Sequence, residues 1–145
     1  MHARVIALLA LGLLAACASE PVEVTPTAYL ADLQSICVDT TATLDALPRP
    51  PEQISVADFA TSAAGALDNE AERARALDVP DELADDHRAF VRNTDEQVVA
   101  WRSIATVGDD SARLDELTVR IGELIRGRND LVDDMGATDC RRGAV

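Results

Sequence analysis

Three cysteines carry most of the chemistry legible in this chain. Cys17 closes the run Leu14-Ala15-Ala16-Cys17, an aliphatic residue and two small ones ahead of a thiol. That order looks like a bacterial lipobox. Small side chains at Ala15 and Ala16 let a peptidase reach the bond before Cys17, and the Cys17 thiol is the nucleophile that takes up a diacylglyceryl group, leaving a palmitate-type acyl anchor. Ahead of it stand Arg4 and then 12 residues, Val5 to Ala16, made of Val, Ile, Leu, Ala and one Gly. A membrane-spanning helix needs roughly 20 apolar residues, whereas this length suits the core of a signal peptide. Residues 1–16 therefore read as a lipoprotein signal peptide, Cys17 as the lipidation site, and residues 17–26, with two Pro and two Glu, as an extended tether. An ordinary signal peptide with a chance cysteine is the plainer alternative.

Cys37 and Cys140 remain, 103 residues apart. Outside the cytoplasm an even pair is most economically one disulfide, and closing so long a loop is worth at most about 4.7 kcal/mol in chain entropy. Two free thiols, one of them buried, are the competing reading. A redox-catalytic pair is disfavoured, because the two are far apart and form no Cys-x-x-Cys.

Other reactive side chains read more plainly as structure. His87 follows Asp85 and Asp86 and lies on an apolar stripe between Leu83 and Phe90. A lone imidazole without a second His nearby makes a poor metal site, so a core or boundary histidine bonded to a neighbour is favoured. The pairs Asp81-Glu82, Asp85-Asp86, Asp109-Asp110 and Asp133-Asp134 lack the spacing of a calcium loop, and several stand where helices should begin, where negative charge is stabilising. Arg128 falls inside an apolar stripe, which implies an acidic partner on a neighbouring helix, an escape past the bundle end, or an anion site. Ser35, Ser55, Ser62, Ser103 and Ser111 have no nucleophile-elbow context. No catalytic residue, metal site or cofactor is assigned.

The elements that would hold these residues are helical. Pro26 to Leu47, Val56 to Asp78, Asp81 to Thr106 and Ser111 to Met135 each repeat apolar residues at three or four positions, and no stretch alternates as a strand does. Thr25 before Pro26, Ser55 before Asp58, and Asp109-Asp110 before Ser111 supply starts; Pro48, Pro80, Gly108 and Gly136 supply stops. The expected fold is all-α, a four-helix antiparallel bundle over residues 27–140 with one disulfide and a tail at 141–145. Cys37 would stand roughly 16 Å along the first helix. Residues 136–140 must then fold back along it, and four extended residues cover only about 13 Å.

Tyr29-Leu30-Ala31-Asp32, Ile36-Cys37, Pro50-Pro51, the break at Pro80, and Met135-Gly136-Ala137-Thr138-Asp139-Cys140 together resemble a group of small helical secreted proteins and lipoproteins of actinobacteria. In that group a cysteine in the first helix and a final Gly-x-x-x-Cys recur. The resemblance spans residues 28–140 and implies the fold and export; it carries over no catalytic residue.

Charge limits the partners. The chain has 26 acidic residues against 13 basic ones, every basic residue is Arg, and loss of residues 1–16 takes the formal charge from −13 to −14. Such a surface repels nucleic acid and anionic headgroups and favours a basic protein partner. The expectation is a non-enzymatic binding or accessory module, attached to the membrane by its N-terminal lipid on the extracytoplasmic face. The alternative is a carrier holding a small apolar ligand within the bundle, which a lined void of several hundred Å³ would favour. An envelope hydrolase would need His87, a carboxylate pair and a nucleophile gathered in one cleft.

Overall fold

The computed structural model describes residues 24–143. The signal segment 1–16, Cys17 and the tether as far as residue 23 lie outside the described residues. Those described form an antiparallel four-helix bundle with no strand: α1 Pro26–Asp45, α2 Val56–Arg75, α3 Ala84–Ala105 and α4 Ser111–Met135. None of these helices is long and apolar enough to cross a membrane.

The helix starts are capped as their sequences dictate. Thr25 Oγ1 accepts the Ala28 N–H with Pro26 in the first turn, Ser55 Oγ accepts the Asp58 N–H, and an Asp110 carboxylate oxygen accepts the Arg113 N–H. Each cap meets a donor that the first helical turn cannot bond internally. Ser55 also donates to the Asp58 carboxylate at 2.7 Å, so the cap is reciprocal. Asp81–Leu83, expected as the start of the third helix, form a separate 3-10 turn after Pro80, and α3 proper begins at Ala84.

The buried stripes broaden where a helix meets two neighbours. α3 packs against both α2 and α4. Its buried residues accordingly include Gln97, Ala100 and Ile104 beside His87, Phe90, Thr94 and Val98. Trp101 is partly buried, edge-on to Phe59 with ring centroids 5.7 Å apart. On α2, small Ala60, Ala63, Ala64, Ala71 and Ala74 are buried, which lets α3 lie close.

α1 is the exception. Its buried residues are Tyr29, Leu33, Ile36, Cys37 and Thr40, and none lies beyond Thr40. It reaches α4 chiefly through a short C-terminal turn, Thr138–Cys140, that packs against both helices. Gly136 in the left-handed conformation (φ 79°) reverses the chain there, a geometry that glycine adopts without strain. The Ala137 N–H then bonds back to the Val132 carbonyl at 2.8 Å. The return is a compact turn wedged between the helices rather than an extended run.

Cys37 and Cys140 are joined in a disulfide, with Cα atoms 4.9 Å apart and both residues buried. The bond pins the wedge to α1 and closes a loop spanning 103 residues of separation. Reducing it, or replacing Cys140→Ser, is expected to lower the unfolding free energy by about 2–5 kcal/mol. Urea denaturation with and without reductant checks this, and an unchanged midpoint contradicts it.

Candidate functional site

Four helices and the C-terminal return converge on one buried cluster of charge. Arg128 of α4 and Glu70 of α2 are both 0 % exposed, and their closest approach is 2.8 Å. The guanidinium forks onto the carboxylate, with Nη2 donating to Oε1 and Nη1 to Oε2. Nη1 also donates to Thr94 Oγ1 of α3 at 3.0 Å, Nε to the Cys140 carbonyl at 3.1 Å, and Nη2 to Cys37 Sγ at 3.4 Å. Its plane lies over the Phe90 ring, Cζ standing 4.4 Å from the centroid. An arginine has five N–H donors, and here each one has a partner within the protein. Arg128 therefore has the acidic partner on a neighbouring helix, and its donors leave nothing for an anion from outside. Burial pulls its pKa down to about 10, with Glu70 opposing the fall and Arg142 adding to it, so it stays charged at neutral pH.

Glu70 has a second cation. Arg142, two residues past the disulfide, donates from Nη2 to Glu70 Oε2, and its side chain is only 7 % exposed. Nη1 of Arg142 donates to Gln97 Oε1 at 3.1 Å, and Gln97 in turn donates to Asn93 Oδ1. Asn93 donates to the Leu124 carbonyl, joining α3 to α4. The Arg142 backbone is held at both ends by the Asn129 side chain, with N–H and carbonyl each at 2.9 Å. Arg141 pairs with Asp133. Two guanidiniums thus share one carboxylate, and the buried cluster carries a surplus positive charge.

His87 sits at the end of the bundle where α1 and α3 begin. Its Nδ1 is 2.9 Å from the Tyr29 hydroxyl, the rings meeting edge-on. Burial, then the Asp86 charge, pushes the Tyr29 phenol up to about 12, while burial, then Arg88, pulls the His87 imidazole below its ordinary value. Both are neutral at pH 7. Because the folded imidazole resists protonation more than the unfolded one, stability falls as the pH drops below about 6.5. This is a structural histidine bonded to a neighbour. Among the described residues no group of three or more His, Cys, Asp or Glu is placed to hold a metal.

The acidic pairs divide by position. Asp110 is a helix cap, Asp81 and Glu82 open the 3-10 turn, Asp85 pairs with Arg88, and Asp133 pairs with Arg141.

Beyond the buried cluster, where α1 offers no further buried residue, a cavity of about 270 Å³ opens between the helices. Leu44, Phe59, Ala63, Leu67, Trp101 and Ile125 give it an apolar lining, and Gln97, Arg142, Arg141, Arg49 and Asp45 border it. Sequence periodicity places Phe59, Leu67 and Trp101 within the three-four apolar repeats of α2 and α3. It did not single out Glu70 or Arg142. Comparison of the chain with models of known protein families, with curated proteins and with solved structures finds no match.

Removing Glu70 leaves two buried guanidiniums without their carboxylate. Glu70→Gln is expected to cost about 3–5 kcal/mol of stability. Adding Arg128→Met to it should return part of that loss, since one of the two stranded cations is gone. A double-mutant cycle in urea measures this, and strictly additive losses would contradict the pairing.

Proposed function

We propose that the protein is an exported, lipid-anchored helical module of the bacterial cell envelope that binds or assists a partner and catalyses no reaction. The observation that carries this reading is the run Leu14-Ala15-Ala16-Cys17 behind Arg4 and 12 apolar residues. Diacylglyceryl transfer to the Cys17 thiol and cleavage before it would hold the domain on the outer face of the cytoplasmic membrane. The buried disulfide supports export, because such bonds persist in oxidising compartments and are rare in the cytosol. We propose further that the chain belongs with small actinobacterial secreted proteins and lipoproteins, which would give it the same address. Its formal charge of −13 favours a basic protein partner over nucleic acid or anionic lipid surfaces.

The reading as a non-enzyme rests on how the reactive groups are occupied. His87 is bonded to Tyr29, Arg128 has all its donors taken, and the two described cysteines are joined. A second reading, a carrier for a small ligand, is favoured by the cavity lined by Phe59, Leu67 and Trp101. At about 270 Å³ it stands near the small end of ligand pockets.

Cys17→Ala should move the protein out of the membrane fraction into unprocessed or released pools. Fractionation of the producing cells, with mass spectrometry of the mature N-terminus, checks this. A parent protein with an unmodified N-terminus, and a variant that still sediments with membranes, would overturn the anchor.

A further inference from the structure

The cavity is not uniformly apolar, and its polar wall has a sign. Arg142 forms part of that wall, and its side chain is 7 % exposed. It shares Glu70 with Arg128, so one carboxylate faces two buried guanidiniums. Among the described residues one positive charge is left uncompensated in a poorly solvated place, where an unpaired charge is costly. Arg142 Nε is also buried with no hydrogen-bond partner among the described residues. It is the one buried side-chain nitrogen or oxygen among the described residues that has no partner at all, and it belongs to a residue that borders the cavity. Arg49 stands at the rim over the Phe59 ring, 5.8 Å from its centroid, with only a long 3.8 Å approach from Asp45. Leu44, Ala63, Leu67, Trp101 and Ile125 supply apolar lining to the same cavity. In a strongly acidic protein, three arginines border this one apolar hollow.

We infer that the cavity bounded by Arg142, Arg49, Leu67 and Trp101 binds a small amphipathic carboxylate, its apolar body against Leu67 and Trp101 and its charged end toward Arg142. This inference rests on the carrier reading and narrows the ligand from any apolar molecule to an anionic one. A carboxylate in place beside Arg142 offsets the surplus charge of the Arg128–Glu70–Arg142 cluster. A neutral ligand fills the hollow and leaves the charge as it was. A cationic ligand of the same length adds a second uncompensated charge beside the first.

Trp101 is the only tryptophan in the chain and lines the cavity, so it reports occupancy directly. The full chain, with its disulfide intact, is titrated with octanoate, octanol and octylammonium while Trp101 emission is followed. Octanoate is expected to saturate the signal with at least ten-fold higher affinity than octanol, and octylammonium to bind weakest. Added salt should weaken octanoate and leave octanol unchanged. Arg142→Gln should erase the preference for octanoate while retaining octanol binding. Ala63→Phe, which fills the hollow and leaves the charges in place, should abolish both. The comparison of the three probes on the unaltered protein decides the matter even if a variant fails to fold. Equal affinities for octanoate and octanol would overturn the charge selectivity while leaving the carrier reading intact. No saturable response to any of the three would overturn both.

Discussion

A carboxylate shut away from water must be matched from within, and Glu70 on α2 sets that requirement for the whole molecule. Fully buried, it is met by Arg128 from α4 and by Arg142 from beyond the last helix. Arg128 in turn needs five acceptors, which come from α1, α2, α3 and the C-terminal return. Each helix of the bundle, and the segment after it, therefore contributes one group to a single point. Apolar packing alone tolerates sliding between helices, whereas a fork of hydrogen bonds with fixed directions does not. The charge cluster thus specifies the register of the four helices.

The same requirement explains the C-terminal return. The Cys140 carbonyl accepts from Arg128 Nε, and Arg142 completes Glu70, so the residues after Gly136 act as a wedge in the α1–α4 seam. The disulfide to Cys37 pins this wedge covalently to α1, next to the guanidinium it helps satisfy. Above the wedge α1 has no buried residue past Thr40, and of its later residues Leu44, partly buried, packs against Ala64, Leu67 and Val98. The cavity is what remains, and Arg142 is both the last member of the cluster and a wall of that cavity. The charge cluster and the cavity wall therefore share one side chain.

Much of this frame is legible in the residues. The bounds of α4 follow from an aspartate cap at Asp110 and a left-handed glycine at Gly136, both local devices with strong residue preferences. The other helices show in their three-four spacing, although α3 begins after a 3-10 turn that Asp81–Leu83 do not advertise. Arg128 inside an apolar stripe is itself a demand for a carboxylate on a facing helix. Glu70 answers it from a position three residues after Leu67 and four before Ala74, on the buried face of α2. That signal is hidden by its neighbours Asp68 and Asn69, which make the stretch look solvated. Arg142 gives no such signal. It lies outside any periodic segment, and its burial depends on the chain turning back at Gly136, a tertiary event that spacing does not encode. The cavity is illegible for the same reason, since it depends on how α1 packs past Thr40 rather than on any motif.

The central claim is that the residues after the last helix belong to the core as fully as the helices do. Native-state hydrogen exchange tests it most directly. The amides of Cys140 and Arg142, bonded to the Ala137 carbonyl and the Asn129 side chain, should exchange only when the whole domain unfolds. Their opening free energies should then match those of core amides such as Phe90 and Leu124. Exchange of Cys140 and Arg142 orders of magnitude faster than that core, with α2 and α3 still protected, would contradict the account.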